Sequence, residues 1–222
     1  MARVFISHSE KDLELKNFIA GLFASSDVTA YFAEWEKVID KNPVDGIKIE
    51  NDIKQSDALF ILLSQNVENL KHTRDWVQWE TGIAKGAGKE IWVFEPAGQL
   101  GSITVVTPSL HHLVIYATND PWHTYLASAV RAFGKAKTVG VSTLLGIAIG
   151  ALLGGERGAV TGGALGLGLS LAATDDLKKP AGLDFKCGNC QGSFKIHVPE
   201  RLQKLRCPIC NSINEMAWPK LS

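Results

Sequence analysis

Cysteine is missing from the first 186 residues of this 222-residue chain. That excludes a thiol nucleophile over most of its length and leaves Cys187, Cys190, Cys207 and Cys210 together in the tail. No basic-then-apolar leader opens the chain, because Ser7 to Glu14 is polar. Nothing therefore argues for secretion. In such a chain, paired Cys-x-x-Cys motifs read as metal ligands before they read as disulfides. There is no Gly-x-x-x-x-Gly-Lys-Ser/Thr, and no Gly-x-Gly-x-x-Gly after a strand. P-loop chemistry and a redox dinucleotide fold are thereby set aside. The histidines fall in no metal-ligand spacing outside the tail. Net charge is absent as well, with 23 Lys/Arg against 23 Asp/Glu. That balance hides an uneven spread. Residues 1–137 carry 14 Lys/Arg against 17 Asp/Glu, residues 138–177 one against three, and residues 178–222 eight against three.

What is present divides into three segments. Residues 1–135 alternate strand-like and helix-like stretches. Arg3–Ser7 is a short apolar strand, and Ser9 is placed to cap a helix with Asp12 three residues on. Leu15, Phe18, Ile19, Leu22 and Phe23 then recur at helical spacing. Val28–Phe32 reads as the next strand. Ala58 to Leu63 is an unbroken apolar run, which suits a strand buried on both faces of a parallel sheet. Trp76, Val77, Trp79, Ile83 and Ala84 form a helix that stops near Gly86 and Gly88. Glu90–Phe94 and His112–Tyr116 are further strands, and Tyr125 to Phe133 reads as a closing helix. Such alternation predicts an α/β fold with a doubly wound, flavodoxin-like parallel sheet.

Residues 136–177 differ in kind. Gly146, Gly150, Gly154, Gly158, Gly162 and Gly166 recur at a four-residue interval within Thr138–Thr174, whose only charged pair is Glu156-Arg157. Small residues so spaced let helix backbones approach closely, as in membrane helix pairs. Each leg, Thr138–Gly155 and Gly158–Thr174, is near the lower limit for crossing a bilayer, roughly 17–25 residues. A single unbroken helix would hold both charges near its centre, at about 2.5–3.5 kcal/mol each. A glycine-zipper hairpin puts them at its tip, and Lys135, Lys137, Lys178 and Lys179 then hold both ends on the cytoplasmic side. A soluble self-associating helical hairpin and a flexible linker are the other readings.

The tail, 178–222, carries Cys187-x-x-Cys190 and Cys207-x-x-Cys210, 16 residues apart. Each pair sits in a short turn, and Phe194 to Val198 alternates like a strand. Two such turns converge on a tetrahedral thiolate site, so the tail resembles a zinc ribbon holding structural Zn2+. Four protein ligands leave no open position for catalysis. A unit this small buries too little core to fold without its metal.

Asp75-Trp76-Val77-Gln78-Trp79-Glu80 puts an aromatic ring one helical turn from a carboxylate. A fixed carboxylate beside a ribose stabilises the oxocarbenium-like charge that develops when a neutral base leaves, and can hold ribose hydroxyls. A single carboxylate suffices, because the leaving group needs no proton. Trp76 and Trp79 would exclude water, and Trp76 offers a face for stacking. The bland alternatives are a solvated surface Glu80, capping roles for Ser7 and Ser9, and Trp79 in the core.

Residues 1–135 resemble a TIR domain of the NAD-cleaving type, the kind found in microbial effectors and in the axon-degeneration enzyme. Phe5-Ile6-Ser7-His8, the acidic Asp12, Leu63-Ser64 and the Trp76-x-x-x-Glu80 helix follow in the family's order. The later Leu110 to Leu113 and Pro121-Trp122-His123 fit its last third. The loop from Ala33 to about Asp45 lacks the Pro-Gly pair of receptor members, although Asn42-Pro43 and Gly46 suit a similar turn. The resemblance implies NAD+ as substrate, Glu80 as catalytic carboxylate, and Phe5, Ser7, His8, Trp35 and Trp76 as substrate-binding residues. It also implies activation by self-assembly and a role in defence against phage or in cell death. The expected protein is therefore cytoplasmic, membrane-associated through its hairpin, and homo-oligomeric through TIR and zipper contacts. The rivals are a non-catalytic TIR scaffold and a membrane-perturbing effector with a ribbon-based sensor. Lys195, Arg201, Lys204 and Arg206, with Phe194 and Trp218 as exposed aromatics, would let the ribbon touch nucleic acid; a protein partner is the alternative.

Overall fold

The computed structural model describes residues 2–9, 11–24, 26, 28–34, 43–69, 71–96, 107–116, 127, 183–197 and 202–216. In chain order the elements are β1 (Ala2–His8), α1 (Leu13–Ala24), β2 (Val28–Glu34), α2 (Pro43–Gln55), β3 (Ala58–Leu62), α3 (Gln65–Asn69), α4 (Lys71–Gly86), β4 (Glu90–Pro96) and β5 (His112–Tyr116). The tail adds β6 (Leu183–Lys186), β7 (Ser193–His197), β8 (Lys204–Arg206) and β9 (Ile213–Glu215). β1 to β5 pair in parallel in the spatial order β2-β1-β3-β4-β5. That is the flavodoxin-like order, and its switch point lies between β1 and β3.

The strands are apolar on both faces because helices cover both. All five residues of β3 are buried. One face packs Phe5, Leu59, Ile61, Val93 and Leu113 against Ile49 and Ile53 of α2 and Val77 and Ala84 of α4. The other packs Val4, Ile6, Phe60, Trp92 and Val114 against Leu15, Ile19, Leu22 and Phe23 of α1, and against Ala127. Ala127 is the one described residue of the expected 125–133 helix, and it is helical. α4 ends as the glycines imply. Gly88 takes φ +64°, its N–H bonds the Lys85 carbonyl, and the Lys89 N–H reaches back to Ala84 at 2.8 Å. Two such reverse bonds around a left-handed glycine satisfy carbonyls that the helix end orphans.

Two local expectations are refined. Ser9 caps the turn before α1, its Oγ accepting from Lys11 N–H at 3.3 Å. The Asp12 carbonyl accepts the first helical bond from Lys16 N–H at 2.8 Å, and Ser9 stands one turn earlier. Pro43 and Gly46 do not form a turn but lie in α2. Proline is the first helical residue, where its missing N–H costs nothing.

The tail joins the main sheet. β7 pairs in parallel with β5, and β6 pairs antiparallel with β7, extending the sheet to seven strands. Phe185, Phe194, Ile196, Leu205, Cys187 and Cys207 belong to the same buried cluster as Leu113 and Ile115. β8 and β9 form their own hairpin. Among the described residues no helix is long and apolar enough to cross a membrane. The expected hairpin legs, Thr138–Gly155 and Gly158–Thr174, lie outside the described residues.

Candidate functional site

Parallel strands aim all their carboxyl ends one way, and in open α/β sheets ligands bind at that edge, beside the switch point. β1 delivers Ser7 and His8 to this edge, and β3 delivers Leu63 and Ser64. α4 crosses beneath with Val77, Glu80, Thr81 and Ala84 turned inward at helical spacing, all of them buried. Glu80 is 0% exposed, and its Oε2 accepts a hydrogen bond from the Ser7 hydroxyl. A carboxylate so far from water must be held by donors, because desolvation penalises its charge heavily. Ser7 and Glu80 are 73 residues apart, and only the packing of α4 on β1 brings them together.

A second polar group sits at the same edge. The Asp12 carboxylate accepts from the Ser64 hydroxyl and from Asn66 Nδ2 at 2.5 Å, joining the start of α1 to the loop after β3. Ser64 Oγ in turn accepts from Val67 N–H at 3.2 Å, capping α3. The positive end of α1 is thus already occupied by its own carboxylate. Sequence reasoning named Asp12 and Ser64 but had no signal for their pairing.

The other expected site residues fall as follows. Phe5 is buried in the core beneath Ser7. His8 is fully buried, edge-on to Phe32 with ring centroids 5.6 Å apart. Trp76 is half-buried and meets Trp79 edge-to-face at 4.8 Å. Trp79 is not a core residue: it is 37% exposed, on the outer side of α4. Trp35 and Trp122 lie outside the described residues.

The four cysteines converge at the opposite, amino edge of the sheet. Their sulfurs all lie within 4.8 Å of one another, with Cys187–Cys210 at 3.7 Å and Cys190–Cys207 at 3.8 Å. A tetrahedron of thiolates about 2.3 Å from a central metal has sulfur–sulfur edges of about 3.8 Å. The donor set therefore fits a metal ion. The two turns are near copies. Cys187 N–H bonds Gly192 O and Gln191 N–H bonds Cys187 O, while Cys207 N–H bonds Ser212 O and Asn211 N–H bonds Cys207 O. Gln191 and Asn211 both take left-handed φ, 59° and 65°. Ser212 Oγ lies 3.3 Å from Cys187 Sγ and 3.0 Å from Cys210 Sγ. Burial pushes the Cys187 thiol up, but the Ser212 hydroxyl and the turn's amides outweigh it and hold it at about 5. Burial pushes Cys207 up to about 12.

Sequence reading missed a buried chain on the other face. His112 Nε2 lies 2.9 Å from Glu90 Oε1, and His112 Nδ1 lies 3.1 Å from His197 Nε2. A carboxylate only accepts, so His112 carries its proton on Nε2 and receives one bond from His197 Nε2–H. His197 Nδ1 is then a bare acceptor with no hydrogen-bond partner. Trp92 stacks on His112 at 3.8 Å. Burial, then the neighbouring His112 and Lys195 charges, hold His197 down at about 3. Isolated histidines in sequence carry no such signal, because register alone brings β4, β5 and β7 together.

The residues expected to let the tail touch nucleic acid fall as follows. Phe194 is buried, not exposed. Lys195 pairs with Asp184 at 2.8 Å, and Arg206 donates to Asn211 O at 3.2 Å. Arg201 and Trp218 lie outside the described residues. No protein-family model matches the chain, and no curated protein matches it either.

Proposed function

We propose that this chain is a TIR-type NAD+ glycohydrolase or cyclase in which Glu80 is the essential carboxylate. The observation that carries this reading is the fully buried Glu80 carboxylate, held by Ser7 at the carboxyl edge of the sheet beside the switch point. Departure of nicotinamide leaves positive charge on the ribose. A desolvated, pre-oriented carboxylate acts most strongly on such developing charge, because little water screens it and little reorganisation is needed. The Ser7 hydroxyl helps fix the orientation in which the Glu80 carboxylate would meet ribose. The Zn2+ assignment of the four-cysteine centre belongs to the same proposal. The centre lies at the opposite edge, where it supports the sheet and does not reach substrate.

Assembly is the second part of the reading. The chain leaves the carboxyl edge after β5 and re-enters from that side at β6, which runs antiparallel to β7. The two anchor strands are two sheet spacings apart, about 10 Å. A segment tethered at both ends to one sheet crosses a bilayer an even number of times. The proposal therefore keeps the hairpin of 138–174 rather than a single span, with assembly through its glycine repeat.

Complete burial of Glu80 also favours a second reading, a TIR scaffold in which Ser7–Glu80 only pins α4 to β1. Nicotinamide release by wild type and Glu80→Gln, measured across protein concentration, separates the two. The enzyme reading expects steep concentration dependence in wild type and at least about 100-fold loss in the variant, the scale of removing one charge-stabilising group. Absence of turnover in assembled wild type leaves the scaffold.

A further inference from the structure

The four-cysteine centre is attached to the α/β sheet in three places. Along the strand edge, β7 pairs with β5 from His112↔Lys195 to Val114↔His197, and Lys195 N–H donates to His111 O at 2.9 Å. At the amino edge, the carbonyl of Pro208, between the ligands Cys207 and Cys210, accepts from Thr107 N–H at 2.8 Å. Thr107 lies on the connection that enters β5. Across the sheet, His197 bonds His112, which is itself bonded to Glu90 and stacked on Trp92. Cys187 and Cys207 are buried in one cluster with Leu113 and Ile115.

We infer that the four-cysteine centre is the clasp of the sheet, so that metal occupancy governs the order of β5 and the Thr107 segment as well as its own turns. The strands of the tail are three to five residues long, too short to hold themselves. Both turns keep a non-glycine residue in the left-handed region, which persists only where the surroundings over-determine it. Gly192 packs so closely on Ile209 of the other turn that a Cβ there would overlap it. The metal is the crosslink that holds these turns face to face, and the three attachments carry that order into β5. A freely hinged ribbon would share neither core nor ladder with its neighbour.

The test is hydrogen exchange on the full chain, loaded with Zn2+ and then stripped with a strong chelator. Amides of Leu113, Val114 and Ile115 are expected to exchange at least about tenfold faster after stripping, together with the two turns, and to recover when Zn2+ returns. Faster exchange confined to 187–192 and 207–212, with β5 unchanged, overturns the inference. Linkage supplies a second measurement, since coupling between sites is reciprocal. His197→Gln, which touches no ligand, is expected to weaken Zn2+ binding about tenfold in competition with a chromophoric chelator. Unchanged affinity in a folded variant overturns it. Neither readout depends on NAD+ turnover.

Discussion

Ser7 and Glu80 share one hydrogen bond in a place water does not reach. Removing the donor leaves a buried carboxylate short of a partner, which costs about 1–3 kcal/mol. Ser7→Ala is therefore expected to lower the unfolding free energy by that amount, read as a lower urea midpoint at unchanged slope, and to reduce turnover less than Glu80→Gln does. His197 gives a pH signature. Unfolded, its imidazole takes up a proton near 6.5; folded, it resists until about 3. Between those values the unfolded chain holds more protons, so stability falls as pH drops from 6.5 toward 3 and is complete above 6.5. The total is on the order of 5 kcal/mol. His197→Phe keeps a flat ring in the stack and cannot titrate. Its stability against pH should be flatter over that window, measured by denaturant melts at stepped pH.

At the scale of elements, helix α4 carries the candidate carboxylate, and its far end depends on one backbone angle. Nothing lies within 4 Å of a Cβ placed at Gly88, so its φ of +64° is the whole constraint. Gly88→Ala is expected to cost about 1 kcal/mol and Gly88→Asn less, read as a melting-temperature difference. The paired turns depend on space instead. Gly192→Ala drives a methyl into Ile209 and is expected to weaken metal binding. Ile209→Ala should restore part of it, a coupling that a double-mutant cycle measures.

Over the whole molecule, the two centres lie at opposite edges of one sheet. The carboxyl edge holds Ser7, Glu80, Asp12 and Ser64, and is the edge at which β5 ends and β6 begins. The amino edge holds the four sulfurs. Under the proposed function, chemistry belongs to the carboxyl edge and structural closure to the amino edge. Replacing 138–174 with a Gly/Ser linker of equal length should preserve the far-ultraviolet circular dichroism of the sheet. It should also shift turnover to much higher protein concentration, if assembly runs through the glycine repeat.

Local order was legible residue by residue. The apolar run at 58–63 and the helical spacing from Leu15 to Phe23 each reflect a short-range rule: a side chain buries where its backbone period points it. The cysteine turns were legible for the same reason, since ligand spacing is a local quantity. The contacts that matter most were not. Glu80 meets Ser7 across 73 residues, and His112 meets His197 across 85. The tail reads as an independent ribbon because its motif is self-contained, while β7 has an edge that can pair with any open strand. Only the finished sheet, which leaves β5 unpaired on one side, decides that this edge is its partner.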